Sequence, residues 1–243
     1  HCFDHYLSRG GYPEVQGCEA KVADAILREY YRTILTRDLI ERHEPRFPGV
    51  LEECLKSFSC QAGLLLSLNK MKNNLASSGI RVSGPQLAEF AGWMEEAYYL
   101  YRVPLFTPSR QKQRVNPVKL YAVDSGLIRA VIPKVGENLG RMMENALFLK
   151  LRHETREIYY YRTRHGHEVD FVSLDEREHP RIIQACYDIS DRETLDREVR
   201  ALDEAMTELK LKEAILVTLS ESREITCGSG RIRIIPAWEY LTH

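Results

Sequence analysis

Apolar side chains follow a helical pattern in the first part of the chain. After the breaker sequence Gly10–Pro13, they recur every three or four positions and predict one amphipathic helix from about Glu19 to Arg42. Pro45 and Pro48 are expected to end it. Residues 1–45 are therefore predicted to form a first, mainly helical segment.

Residues 46–125 carry a second pattern, in which three short helices precede two strands. The helices are predicted over Gly49–Ala62, Ser67–Ala76 and Pro85–Ala97. Ser83 is a suitable N-cap for the third helix, because Gln86 follows three positions later and completes a capping box. The strands are expected over Tyr98–Phe106 and Leu120–Val123, joined by a basic loop at Pro108–Pro117. Three helices followed by a β-hairpin predict a winged helix.

Residues 126–243 alternate between helices and strands. A helix is predicted from about Glu137 to Arg152, and a second over Arg192–Leu209, where apolar residues form one stripe. Strands are predicted over Glu157–Arg162, Glu168–Leu174, Arg181–Tyr187, Ala214–Leu219 and Arg231–Pro236. The order predicts a mixed sheet with helices on its faces, so the whole chain is expected to be an α+β protein.

The charge of the chain is nearly balanced overall but unevenly distributed. Its 243 residues include 34 Lys and Arg against 35 Asp and Glu. From Arg46 to Leu120, however, there are 10 basic and 5 acidic residues. From Gly126 to the end there are 18 basic and 21 acidic residues. This asymmetry indicates that an anionic partner meets the middle of the chain.

Other sequence features exclude several classes of protein. No apolar run approaches the roughly 18–20 residues of a membrane span, and the start of the given sequence has no signal-peptide pattern. The six cysteines form no Cys-x-x-Cys pair, so we expect reduced thiols in a cytoplasmic protein. The chain begins with His1 rather than Met, which led us to expect a fragment of something longer.

The order of elements in residues 126–243 resembles the restriction-endonuclease-like, or PD-(D/E)XK, nucleases. Active members of that superfamily need a helix carboxylate, a strand Asp, and Glu-x-Lys on the next strand, which together hold Mg²⁺ and stabilise the transition state. The corresponding positions here are Glu144, Asp170, Gln184 and Cys186. Gln184 adds no negative charge and Cys186 no positive charge. The resemblance therefore implies a nuclease fold with a degenerate site and no catalytic residue.

Two alternatives to complete loss of the nuclease site remain open from the sequence. Glu168 and Asp188 lie two residues from Asp170 and Cys186, on the same strand faces, and are candidates for migrated metal ligands of an active Mg²⁺-dependent nuclease. Residual metal or phosphate binding at Glu144 and Asp170 is the second alternative to a purely structural role.

Landmarks along nearly the whole chain resemble prokaryotic AAA-type ATPases with a C-terminal domain of unknown function. They are Gly10–Glu14, Tyr30 with Thr36–Asp38, Leu120–Leu127, Leu139–Asn145, and Tyr160–Thr163 with Glu168–Phe171. The family begins with a P-loop ATPase module, followed by a helical lid, a winged helix and a nuclease-like domain. The resemblance assigns residues 1–45 to the lid, 46–125 to the winged helix and 126–243 to the nuclease-like domain.

The phosphate-binding P-loop itself does not occur in this chain. No GxxxxGK[ST] motif is present, so we expect no ATP hydrolysis by these residues and no cofactor bound to them. The resemblance implies that ATP and Mg²⁺ bind to an upstream ATPase module, which is then a partner within the same protein. Arg9 and Arg37 are candidates to face that nucleotide, and the alternative is that each pairs with a nearby acidic residue.

The expected partner of the winged helix is double-stranded DNA, bound with weak sequence specificity. Its third helix carries Glu89, Glu95 and Glu96, which phosphate would repel. The candidate contacts are therefore cations outside that helix, which bind the backbone without reading sequence: Lys70, Lys72, Arg81, Arg110, Lys112, Arg114 and Lys119. A winged helix that serves protein interaction or assembly remains the alternative.

Overall fold

A computed structural model describes residues 2–133 and 138–242 of the chain. His1 and Glu137, both named above, lie outside these described residues. The described residues form a mixed α+β protein with two β-sheets. The chain divides into two compact units, His1–Arg102 with Pro117–Asn145, and Val103–Asn116 with Ala146–His243.

The first unit begins with helices on both sides of the Gly-Gly turn. Helix α1 covers Cys2–Arg9, a short 3₁₀ turn covers Pro13–Val15, and α2 covers Ala20–Thr33. The predicted long helix continues beyond α2, but as a π-helical segment, Ile34–Glu41. Leu27 and Ala23 of α2 are fully buried and pack with Val15 and Ala130.

Three helices and a small sheet follow in the predicted order. They are α3 (Pro48–Cys60), β1 (Leu65–Leu66), α4 (Leu68–Ser77), α5 (Gly84–Glu96), β2 (Leu100–Val103) and β3 (Val118–Ala122). The strand order is β1-β3-β2. The capping box at α5 is confirmed, because Ser83 Oγ accepts from Gln86 N at 3.3 Å and Gln86 Oε1 accepts from Ser83 N at 3.1 Å. Helix α7, Ser125–Val131, follows β3.

The predicted strand Tyr98–Phe106 and basic loop Pro108–Pro117 differ from the structure. The strand ends at Val103, and the loop contains a helix, α6, over Arg110–Val115. Ser109 caps this helix by accepting from Lys112 N at 3.2 Å. Ser109 is a residue type that often precedes a helix, but Pro108 and Pro117 on either side favoured the prediction of a loop. Residues 103–116 also belong to the second unit.

The second unit is a six-stranded sheet crossed by one long helix. Helix α8, Leu139–Glu154, leads into β4 (Ile158–Arg162), β5 (Glu168–Leu174), β6 (Pro180–Ala185), α9 (Arg192–Leu209) and β7 (Glu213–Thr218). Two further strands and a short helix end the chain: β8 (Arg223–Thr226), β9 (Arg231–Pro236) and α10 (Ala237–Thr242). The order is β4-β5-β6-β7-β9-β8. The neighbours β6 and β7, and β7 and β9, pair in parallel, and the other neighbouring strands of this sheet pair antiparallel.

The stripe predicted on α9 covers this sheet. Leu202, Ala205 and Met206 are buried against apolar residues of β5, β6 and β7. The pattern did not predict β8, because only one of its four residues is even partly buried. A strand at the edge of a sheet with two solvent-facing sides carries no alternation of apolar residues.

A buried carboxylate joins two glycine-rich turns of the first unit. Asp124 Oδ1 caps α7 by accepting from Leu127 N at 2.9 Å, and its Oδ2 accepts from Gly11 N at 2.6 Å. Burial raises the pKa of Asp124 above its usual value. A Cβ on Gly10, which has φ +78°, would overlap the Asp124 carboxylate, and a Cβ on Gly126 would overlap the carbonyl group of Arg9.

We expect Gly126→Ala to destabilise the protein, because the methyl group must displace the backbone at Arg9. Overpacking of this kind typically costs about 1–3 kcal/mol. The matched control is Gly92→Ala within α5, where a Cβ meets no atom within 4 Å. That control should raise stability by about 0.5–1 kcal/mol, because alanine favours a helix. Urea unfolding measures both changes, and equal midpoints for the two variants would contradict this account.

Candidate functional site

Asp170 lies on β5 opposite Gln184 on β6. The two strands are antiparallel, and Phe171 pairs with Ile183 in register. Asp170 N donates to Gln184 Oε1 at 3.0 Å, and Asp170 Oδ2 accepts from Ala185 N at 2.9 Å. Asp170 and Gln184 are each 7% exposed. The structure therefore brings two of the predicted nuclease positions together and joins them by hydrogen bonds.

The other end of the Gln184 amide contacts a carboxylate that the sequence analysis missed. Gln184 Nε2 donates to Glu198 Oε2 at 2.8 Å. Glu198 lies on α9, is 7% exposed, and accepts from Arg197 Nη2 at 2.6 Å through its Oε1. Glu198 lies three residues after Leu195 and four before Leu202, which places it within the apolar stripe of α9. A charged residue at such a position was the sequence signal that could have indicated Glu198.

Cys186 contributes a neutral thiol at this edge of the sheet. Burial, with Glu198 nearby, raises the pKa of its thiol to about 11. Its Sγ donates to the Asp188 carbonyl oxygen at 3.3 Å. Because the thiolate is the metal ligand and the nucleophile, this thiol supplies neither function at neutral pH, and it supplies no positive charge.

The two candidate migrated ligands have other partners. Glu168 lies 3.8 Å from the Arg162 guanidinium. Asp188 accepts from Ser190 N at 2.8 Å, and this hydrogen bond lowers the pKa of its carboxyl group. Across residues 2–133 and 138–242, no group of three or more His, Cys, Asp and Glu side chains is arranged to hold a metal ion.

Glu144, the helix carboxylate of the predicted site, is bound within the first unit. Its Oε1 accepts from Lys119 Nζ at 3.0 Å and from the Tyr121 hydroxyl at 2.6 Å. The Lys119 side chain is only 4% exposed. Lys119 therefore differs from the other predicted DNA-binding cations, because its ammonium group is buried in an ion pair instead of facing solvent.

The remaining predicted cations lie at the protein surface to different extents. Lys70 and Arg81 are exposed, and Lys72 is half-buried, in the first unit. Arg110, Lys112 and Arg114 are all exposed on α6, in the second unit. No acidic residue occurs between Val103 and Asn116. The α6 cations therefore lie in a stretch of sequence without acidic residues.

The two candidate nucleotide-facing arginines also have partners. Arg9 Nη1 donates to the Cys18 carbonyl oxygen at 2.6 Å, which holds the Gly-Gly turn to the start of α2. Arg37, in the π-helical segment, has a side chain 70% exposed and donates to Asp38 Oδ1 at 3.2 Å. The surface position of Arg37 leaves its guanidinium accessible.

Helix α5 presents acidic and aromatic groups. The Glu95 carboxylate accepts hydrogen bonds from the backbone N–H of Arg102 and from the Arg102 guanidinium. The Trp93 ring stacks on His43, with centroids 4.3 Å apart and planes 6° apart. Phe90 and Tyr99 are buried, whereas Tyr98 is 69% exposed.

Two family profiles together cover the chain. The profile described as Domain of unknown function (DUF8612) matches residues 1–138, more than half of the sequence. The chain belongs to this DUF8612 family. The profile described as Domain of unknown function (DUF4143) matches residues 139–240 of the DUF8612 chain, and this domain is often found at the C-terminus of AAA ATPase proteins.

The curated relatives of this DUF8612 chain are uncharacterized prokaryotic proteins. One, from Methanocaldococcus jannaschii, is 26% identical over 247 residues, covering 98% of this chain and 54% of the relative. Another, from Haemophilus influenzae, is 24% identical over 176 residues, covering 72% of this chain and 41% of the relative. The chain spans about half the length of the curated relatives it matches. No solved structure matches it significantly. Among the described residues, no helix is both long and apolar enough to cross a membrane.

We expect Gln184→Leu to destabilise the DUF8612 chain by about 1–3 kcal/mol for each buried atom that loses the hydrogen bond to Gln184, namely Asp170 N and Glu198 Oε2. Gln184→Glu should destabilise it at neutral pH through repulsion by Glu198, with recovery in acid as the carboxylates become protonated. The exposed-site control, Gln111→Leu, should change stability by less than about 0.5 kcal/mol. Urea midpoints at two pH values measure this, and a Gln184→Leu variant as stable as the control would exclude a structural role for the amide.

Proposed function

We propose that this chain is the non-catalytic C-terminal region of an AAA-type ATPase, and that it contacts double-stranded DNA through backbone phosphates. The observation that carries the proposal is α6, where Arg110, Lys112 and Arg114 are exposed within a segment that contains no acidic residue. Clustered cations bind the phosphate backbone without reading sequence.

The first unit supports a winged helix as one part of this region. Helices α3, α4 and α5 precede β2 and β3, and the strand order β1-β3-β2 is that of a winged-helix sheet. The third helix of such a module normally enters the major groove, but α5 carries Glu89, Glu95 and Glu96. DNA contact by the exposed Lys70 and Arg81 instead would be weakly sequence-specific.

The second unit supports a nuclease-like domain without nuclease activity. A helix, three antiparallel strands, a crossover helix and a parallel strand follow one another, and Asp170 and Gln184 meet at the expected positions. The Gln184 amide and the neutral Cys186 thiol supply neither the third metal-binding charge nor the cation of an active site. The domain is then a binding module.

Two observations support the assignment to AAA-type proteins with an upstream ATPase module. The curated relatives are about twice as long as this chain, and DUF4143 domains often end AAA ATPase proteins. ATP and Mg²⁺ would bind that module in the cytoplasm, with Arg37 as the candidate arginine facing it. The purified longer protein should therefore hydrolyse ATP, whereas residues 1–243 contain no P-loop for this reaction.

The triple substitution Arg110→Gln, Lys112→Gln and Arg114→Gln should weaken duplex binding and reduce the slope of log K against log salt by about 2–3, because up to three phosphate contacts are lost. Fluorescence anisotropy of labelled duplex between 50 and 200 mM salt is the measurement. Arg110→Lys with Arg114→Lys keeps the charge and should bind like the unmodified chain. Salt-insensitive or absent binding of the unmodified chain would favour a protein-interaction module.

Supercoiled plasmid should remain intact when the chain is incubated with Mg²⁺ or Mn²⁺, because too few charged groups surround Asp170 to hold a catalytic ion. The alternative, an active nuclease with migrated ligands, predicts metal-dependent nicking that Asp170→Ala abolishes. Nicking that persists in Asp170→Ala would indicate a contaminating nuclease, and chelation by EDTA identifies the metal requirement.

A further inference from the structure

The hairpin that joins β4 to β5 has a basic tip. Its sequence from Arg162 to His167 contains two arginines and two histidines and no acidic residue. The side chains of Arg162, Arg164 and His165 are exposed, whereas Thr163 is 4% exposed. Neither the sequence analysis nor the family profiles assign a role to this tip.

Two acidic residues of α9 hold the hairpin from its inner side. Glu204 Oε2 accepts from Thr163 Oγ1 at 2.9 Å and lies 2.7 Å from His167 Nδ1. Glu208 Oε1 accepts from Arg164 N at 2.9 Å, and its Oε2 accepts from the Tyr161 hydroxyl at 2.7 Å. These carboxylates are therefore engaged with backbone and inward-facing groups of the hairpin.

The hairpin is also closed on itself. Thr163 N donates to the His167 carbonyl oxygen at 2.8 Å, and Gly166 adopts φ +90°, which a tight turn requires. A tip fixed in this way loses little conformational entropy when it binds a partner. The backbone that carries the cations is consequently held in one conformation before any ligand arrives.

Helix α6 follows a segment that lies beside β4, the strand that leads into this hairpin. Leu105 pairs with Tyr160 of β4 in parallel, and Phe106 N donates to the Tyr160 carbonyl oxygen at 2.7 Å. Arg110 comes four residues after Phe106, and Arg164 comes four residues after Tyr160. Gln113 Nε2 of α6 donates to the Leu105 carbonyl oxygen at 3.2 Å, so α6 packs on the segment that pairs with β4.

We propose that the β4–β5 hairpin tip and α6 form one continuous phosphate-binding edge of the second unit, and that its ligand is the backbone of double-stranded DNA. The inference rests on the proposed function and extends it to Arg164 and His165. Duplex DNA carries one charge per roughly 1.7 Å of its axis, so cations distributed along a protein edge meet successive phosphates.

The chemistry of this edge favours a duplex over a single strand. Single-strand sites interleave cations with exposed aromatic platforms on which bases stack. Here the nearest aromatic residues, Phe106, Tyr159 and Tyr161, pack against one another and are partly buried. The Tyr161 hydroxyl is bound to Glu208. The edge therefore offers charge without a stacking surface.

The test is the double substitution Arg164→Gln and His165→Gln in the 243-residue chain. Because this variant removes the Arg164 charge, the loss of one phosphate contact should lower the salt slope by about 1 and weaken duplex binding about three- to tenfold. Arg164→Lys should restore binding, since a phosphate contact requires the charge and not the guanidinium.

The matched control is Arg177→Gln with His179→Gln, the same residue types on the β5–β6 turn at the opposite end of the sheet, among Asp175, Glu176 and Glu178. Its binding should equal that of the unmodified chain. Equal weakening by the control, or no weakening by the hairpin variant while the α6 triple variant loses binding, would overturn this inference alone. No duplex binding by the unmodified chain would overturn the proposed function as well.

Discussion

The buried carboxylates of Asp170 and Glu198 lie on either side of a single neutral amide. Gln184 accepts from the backbone of β5 and donates to α9, so one side chain joins two strands and the crossover helix. A third carboxylate at this position would concentrate negative charge in a poorly solvated region, which needs a cation for compensation. With an amide there, the same elements are joined by hydrogen bonds without a third negative charge.

Local sequence signals were sufficient to predict most elements of the fold. The capping box at Ser83, the apolar stripe on α9 and the Gly10–Pro13 breaker each depend on residues close together in the chain. The segment from Val103 to Asn116 was mispredicted because its structure depends on a distant strand. Leu105 pairs with Tyr160, a contact that no local periodicity encodes.

The candidate site was predicted only in part. The resemblance to the nuclease superfamily indicated Asp170 and Gln184 as site positions, and the structure joins these two residues directly. Glu198 was missed because it lies on α9, which the sequence predicts as an amphipathic helix packed on the sheet. One charged residue within the apolar stripe of such a helix gives no sign of a site. Lys119 was mispredicted for the opposite reason. Its charge suggested an exposed side chain, but its ammonium group is buried in an ion pair with Glu144, which also accepts from the Tyr121 hydroxyl.

The connectivity of the two units constrains how this protein can be divided. The chain changes from one unit to the other after Arg102, after Asn116 and, within α8, after Asn145. No single cleavage therefore releases either unit with all of its residues. A protease that cuts before Ala146 would leave the sheet without the Leu105 segment beside β4, and would also divide a helix. Genetic exchange of one unit between relatives faces the same restriction, so we expect the two units to be inherited as a pair.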